Sequence, residues 1–150
     1  MVYRSIAGAL TGAILAACAT TLWAEAEFKN SGAVLPTNLP FSELVEVGET
    51  LYLSGQIGNK PGTLELAEGG IEGESRQVME NIQTSLQAHG YELSNLVKCT
   101  VILADISEWG AFNTVYSEFF EAGRFPARAA FSSPGLALGA RVEVDCIGAK

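Results

Sequence analysis

Apolar positions recur along this chain with two different periods, and the switches between them mark out its elements. Within residues 50–57, Leu51 and Leu53 alternate with Tyr52 and Ser54, the two-residue period of a strand with one buried face. The same alternation returns at 96–103, where Val97, Cys99, Val101 and Leu103 share a parity. It returns again at 141–148, where Val142, Val144 and Cys146 oppose Arg141, Glu143 and Asp145. Residues 41–47 read as a further strand, joined to 50–57 by a tight turn at Gly48-Glu49. Between the strands the period lengthens. Val78, Ile82 and Leu86 recur every fourth position with Met79 beside them, which predicts a helix over 74–89 that Gly90 stops. A second helix is capped by Asp105 or Ser107 and runs to about residue 121. Trp109, Phe112, Tyr116, Phe119 and Phe120 form its apolar face, which reads first as core.

The remaining stretches are connections. Residues 58–73 hold Gly58, Gly62, Gly69, Gly70 and Pro61 and read as a loop with a short strand near 63–66. The loop lacks the spacing of a phosphate-binding turn. Phe125-Pro126 leads into a short apolar strand carrying Arg128, and 132–140 is a loop to the closing strand. The predicted order is β-β-(β)-α-β-α-β-β, an α+β fold with a mixed sheet and both helices on one face. The other face of the sheet also carries large apolar residues, and self-association is the economical way to cover it.

Composition narrows the class of function. The chain has 150 residues, 48% of them hydrophobic, with 17 acidic against 9 basic side chains and a net charge of −8. One domain with a real core is the expectation. The acidic balance argues against a nucleic-acid partner. It also means that any bound carboxylate must be held by a local cation rather than steered from afar. No Cys/His spacing suggests a metal site, and one histidine cannot build one. That histidine, His89, precedes Gly90 and reads as a cation at a helix C-terminus. Cys99 and Cys146 both fall in strands and read as small apolar core residues rather than as a pair.

Residues 1–24 read as an export leader. Arg4 precedes an apolar run rich in alanine, and Ala24-Glu25-Ala26 offers a small-residue cleavage site. The mature protein is then periplasmic or secreted. Leu15-Ala16-Ala17-Cys18 also resembles a lipobox, so the alternative is a lipoprotein anchored to the membrane through Cys18. Residues 25–39 read as an extended lead-in and 40–150 as the folded domain.

The chemistry concentrates at two places. Arg128 follows a proline that fixes the backbone, and its planar fork suits two-point capture of a carboxylate. Glu143 lies on the polar parity of the closing strand. The two make either a structural ion pair or a substrate anchor with a proton handler. Read with Leu51-Tyr52-Leu53-Ser54-Gly55-Gln56-Ile57, the stretches Asn113-x-x-Tyr116-x-x-Phe119-Phe120, Phe125-Pro126-Ala127-Arg128 and Val142-Glu143-Val144-Asp145 resemble the RidA/YjgF family of enamine/imine deaminases. The resemblance runs from about Pro36 to the C-terminus.

It implies a chorismate-mutase-like fold packed as a homotrimer, with a site at each subunit interface. It implies hydrolysis of reactive 2-imino and 2-enamino acids, such as 2-aminoacrylate, to 2-keto acids and ammonia, with no metal or cofactor. By the same resemblance Arg128 anchors the substrate carboxylate and Glu143 works on the water. Ser54 contacts the nitrogen or the water, Asn113 braces a neighbouring segment, and the Ala130 carbonyl faces the water. Phe41 stands where the family usually has a tyrosine, and Ala130 where several members have a cysteine. Partners are then small 2-imino and 2-keto acids and further copies of the chain, with a lipid only through Cys18. The competing readings are a non-catalytic trimer that binds small carboxylic acids, and a ribonuclease, which the acidic charge opposes.

Overall fold

The computed structural model describes residues 24–150; the leader and Cys18 lie outside the described residues. Within them the chain forms six strands, β1 (Ala26–Lys29), β2 (Leu44–Val47), β3 (Thr50–Ile57), β4 (Leu96–Leu103), β5 (Ala127–Ser132) and β6 (Val142–Ala149), and two α-helices, α1 (Gly70–Ala88) and α2 (Trp109–Ser117). The strands make one sheet in the order β1-β2-β3-β6-β4-β5. All neighbours are antiparallel except β4 and β5, which α2 connects as a parallel crossover.

Both helices lie on one face, as the pattern predicts. Val78, Met79, Ile82 and Leu86 of α1 are fully buried against Leu51, Val101, Val142 and Val144 of the sheet. Each such side chain contributes about 1.5–3 kcal/mol, so this stripe, more than helix propensity, holds α1 in place. Asn81 adds direction: its Nδ2 donates to the carbonyls of Ile57 and Asn59 at 3.0 and 2.9 Å, which ties the end of β3 to the helix. Gly90 ends the helix region with φ at +83°.

Several expectations shift: α1 begins at Gly70 rather than Glu74, and β2 at Leu44 rather than Phe41. Within the stretch read as a lead-in, Ala26–Lys29 pair with β2 as strand β1. No strand forms at 63–66; a single bridge joins Asn59 and Leu66. The second helix stops at Ser117 rather than near 121, because the chain tightens into i→i−3 bonds from Glu118 to Val115 and from Phe119 to Tyr116. That turn lets Phe119 and Phe120 pack against the core.

The cysteines are a correction. Cys99 and Cys146 face each other directly across β4 and β6, on the helix side, and form a disulfide. Alternation places each on the buried face, but only the strand register makes them opposite partners.

The other face of the sheet is bare among the described residues. Register aligns Phe28, Val45, Tyr52 and Ile147 in one row and Glu143, Ile102 and Phe131 in another. Phe28 is 71% exposed, and Tyr52 and Phe131 are about half exposed. Apolar groups in continuous rows on one face mark an interface.

Glu46 closes the far end of the sheet on the helix side. Its carboxylate accepts from Lys29 Nζ and Tyr91 Oη at 2.6 Å each, and also from Lys150 Nζ. The bonds from Lys150, Lys29 and Tyr91 hold its pKa down to about 2, from 4.5. A depressed carboxylate stabilises the fold above its unfolded pKa and loses that contribution as pH falls through the folded one. Urea midpoints of wild type and Glu46→Gln should therefore differ most above about pH 5 and converge towards pH 2. A gap that stays constant with pH would assign the effect to packing instead.

Candidate active site

Arg128 lies on β5, an edge strand, and points to the helix side in the same row as Cys99 and Cys146. Phe125-Pro126 delivers the chain there, with Pro126 buried and Phe125 meeting the edge of Phe120 at 6.2 Å. The guanidinium is fixed from above by α2. Its Nη2 donates to Asn113 Oδ1 at 2.5 Å, and its central carbon lies 4.7, 5.6 and 6.0 Å from the rings of Tyr116, Phe112 and Trp109. A cation over aromatic faces is held in place without losing its hydrogen-bond donors. One N–H goes to Asn113, and four of the five remain for a ligand.

Two cavities open at this side chain. One, of about 280 Å³, is lined by Asn113, Tyr116, Ser117, Phe125, Pro126 and Arg128. The other, of about 480 Å³, is lined by Ile106, Trp109, Arg128 and Ala130. Ala130 stands two residues beyond Arg128 on the same face. Ser133 donates to the Leu103 carbonyl, so by alternation the backbone groups of 129 and 131 face β4. Those of Arg128 and Ala130 project from the free edge. The Ala130 carbonyl is thus an available acceptor beside the larger cavity.

Glu143 belongs to a second cluster on the opposite face. It sits on β6 level with Ile57, where β3 and β6 slip register between Leu53 and Gln56. The bulge contains Ser54-Gly55, and the carboxyl of Glu143 lies over Gly55: a Cβ at that position would run into its Oε1. Glycine there leaves room for the carboxyl; any Cβ would push the Glu143 side chain out of this position. Burial raises the Glu143 pKa, and the neighbouring charge of Asp145 raises it further.

Ser54, inside the bulge, is tied to the residue that follows Phe41. The Ser54 hydroxyl donates to the Ser42 carbonyl at 2.6 Å and its N–H to the Glu43 carbonyl at 3.1 Å. Ser54 therefore pins the segment that carries Phe41, whose ring is about half exposed. Behind it, buried Glu43 accepts from Ser85 Oγ at 2.6 Å and from the Ser31 N–H at 2.8 Å, and meets His89 Nε2 at 3.1 Å. His89 serves this anchor as well as the helix end. Burial pushes the Glu43 carboxyl up, but these hydrogen bonds outweigh it and hold its pKa below the usual range.

The six residues singled out from the sequence thus fall into two groups. Arg128, Asn113 and Ala130 gather on the helix side; Glu143 and Ser54 sit at the β3–β6 bulge with Glu143 on the bare face, and the Ser54 hydroxyl ties the segment next to Phe41 to that bulge. Glu143 is level with Phe131, three residues from Arg128 and two strands away. That is roughly 14 Å across the sheet, before the opposite orientations are counted. The ion-pair reading of Arg128 and Glu143 is excluded within one chain. Trp109, Ile106 and Tyr116, read as core or passed over, wall the Arg128 side instead. Their helical spacing alone could not separate a core stripe from a pocket wall. Among the described residues no group of three His, Cys, Asp or Glu side chains is placed to hold a metal ion.

The chain and its fold are similar to known proteins. Residues 32–150 match the family model described as Endoribonuclease L-PSP. A goat protein named 2-iminobutanoate/2-iminopropanoate deaminase is 44% identical over 108 residues, 72% of this chain and 78% of its own length. The human protein of the same name is 40% identical over the same shares. Among solved structures, RidA from an Antarctic Psychrobacter superposes with a TM-score of 0.74 at 35% identity, covering 82% of this chain and 98% of that one. Yeast Mmf1 superposes with a TM-score of 0.78 at 27% identity, covering 84% and 99%.

Proposed function

The chain belongs to the Endoribonuclease L-PSP family, the RidA/YjgF family, and from that premise we propose that it deaminates reactive 2-imino and 2-enamino acids by hydrolysis. The relatives named as 2-iminobutanoate/2-iminopropanoate deaminases support the reaction class. The observation that carries it to this chain is the Arg128 guanidinium, steadied by one bond to Asn113 and open to two cavities with its other donors free.

In this reading Arg128 holds the substrate carboxylate through paired charge-assisted bonds. The protonated C=N carbon is electrophilic without further activation. Glu143, ionised, takes a proton from water as the oxygen adds to that carbon. It returns that proton to nitrogen; as the C–N bond breaks, the carboxylate, ionised again, takes the hydroxyl proton, so the carbonyl forms and ammonia leaves and picks up that proton as ammonium. Its raised pKa brings it nearer the pH at which it must work in both directions. Ser54 holds the Phe41 segment against this group, and the Ala130 carbonyl supplies an acceptor at the sheet edge.

The separation of the two groups supports assembly. A site containing both Arg128 and Glu143 needs two copies of the chain, and the bare face offers an apolar surface for contact. We infer a homotrimer with each site shared between neighbours. We also infer export: the leader pattern of 1–24 and the Cys99–Cys146 disulfide both suit an oxidising compartment. The protein is then periplasmic or secreted, or a lipoprotein if Cys18 is processed. Mass spectrometry of the mature N-terminus distinguishes these.

The test is competition between the protein and semicarbazide for an imine released by an amino-acid oxidase. Wild type should divert the imine to keto acid and ammonia. Glu143→Gln should lower turnover about 100-fold while sparing binding of a 2-keto acid. It should also remove the acid limb of the pH–rate profile, because a carboxylate with a raised pKa loses its base form as pH falls. Equal loss of binding and turnover would make Glu143 structural. Mixing unfolded Arg128→Ala and Glu143→Gln chains and refolding them together should regain activity, since some interfaces then carry both native groups. No regain would refute the shared site. Binding without turnover in wild type would favour a carboxylic-acid-binding trimer.

A further inference from the structure

We propose that the site accepts 2-imino acids with large apolar side chains, aromatic ones foremost, in preference to the short aliphatic ones; the inference rests on the deaminase reading of Arg128. A carboxylate on the guanidinium fixes where the rest of the substrate lies. On one side, Asn113 and Ser117 give the smaller cavity a polar rim, and Asn113 already engages Nη2. On the other side, the 480 Å³ cavity has Ile106, Trp109 and Ala130 as its walls besides Arg128 itself. All three are apolar.

Trp109 is 46% exposed and Ile106 49%. In the single chain two large apolar side chains therefore stand open beside a cation, to be covered by a ligand group together with the neighbouring copy that brings Glu143. The indole offers a flat face for an aromatic ring, a contact with more than area burial behind it. Ala130 leaves the floor of the cavity low, and any larger side chain at 130 would fill the same space. A methyl group, as in the alanine-derived imine, leaves most of that volume unoccupied. A benzyl or indolylmethyl group occupies several times more of it and is large enough to reach Trp109 and Ile106. The pairing is geometric: the carboxylate stays on the cation while the side chain follows the apolar wall from Ala130 on β5 towards Trp109 on α2.

The experiment measures kcat/KM for imines released from phenylalanine and from alanine, in the same semicarbazide competition. The phenylalanine-derived imine should be preferred by at least about tenfold, within the range that hydrophobic pockets discriminate. Trp109→Ala should bring the ratio close to one, and Trp109→Phe should keep most of it. Ala130→Leu should push the ratio below one by occupying the cavity. Phenylpyruvate should compete for the site more tightly than pyruvate, a readout that survives even if one variant folds poorly. A wild-type ratio near one, or in favour of alanine, overturns the inference and leaves the deaminase reading standing. Failure to accelerate loss of any imine overturns the deaminase reading itself, and this inference with it.

Discussion

Arg128→Ala is expected to lower kcat/KM for imine hydrolysis by about 1,000-fold, with little change in stability. Each charge-assisted bond to a carboxylate is worth about 1.5–3 kcal/mol, and the free donors of Arg128 make two in parallel. A combined loss near 4 kcal/mol corresponds to about three powers of ten. The loss has no local substitute, because the chain carries a net charge of −8 and no other cation lines either cavity. Arg128→Lys should recover only part of it, since an ammonium cannot reproduce a planar two-point contact. Stability should change little because the side chain is half-buried at a sheet edge, its one hydrogen-bond partner, Asn113, can turn to water, and each exposed cation–ring contact is worth only about 0.5–1 kcal/mol. Steady-state kinetics beside a urea titration separates the two effects. An Arg128→Ala protein with wild-type kcat/KM sinks the proposed site; one that merely fails to fold is excluded by the titration.

What the amino-acid pattern makes legible is local. Val78, Ile82 and Leu86 announce the buried stripe of α1, and all three are fully buried. Val142, Val144 and Cys146 announce the inner face of β6, with Glu143 on the outer one, as the structure has it. Periodicity reports which side chains share a face within an element. It does not report which strand lies beside which, or in what register, because those depend on contacts far apart in sequence. Three features needed that missing information. Ala26–Lys29 becomes a strand only because β2 offers a free edge. Arg128 and Glu143 are assigned to opposite faces only once β4 sets both registers. Gly55 is explained by the carboxylate of a residue 88 positions later in the chain, where the sequence shows only a glycine in a strand. The Arg128 side was legible in its chemistry but not in its walls. Trp109 and Tyr116 obey the same helical spacing, yet Tyr116 is buried and Trp109 is half open.

The same dependence on register underlies the largest expected effect on stability. Cys99 and Cys146 are separated by 47 positions and joined across β4 and β6. Closing a loop of that length restricts the unfolded chain by about 4 kcal/mol in the chain-entropy account. The double variant Cys99→Ala/Cys146→Ala should therefore unfold at a urea concentration lower by about 2 M, for a typical urea dependence at this size. Reduction of the wild type should approach the same midpoint once the thiols are blocked. Both sulfurs are buried under the helical layer, so reduction should be slow in the native protein and speed up with partial unfolding. The bridge also lies in the same row as Arg128, with Cys99 its direct neighbour on β4. Its loss should lower the temperature at which activity fails before it lowers activity itself. Chain lacking residues 1–24 and held in a reducing cytoplasm should behave like the double variant, whereas exported protein should behave like the oxidised form. Equal urea midpoints for oxidised and reduced protein would show that the sheet's own hydrogen bonds and core carry that stability without the bridge, and would remove the disulfide from the case for export.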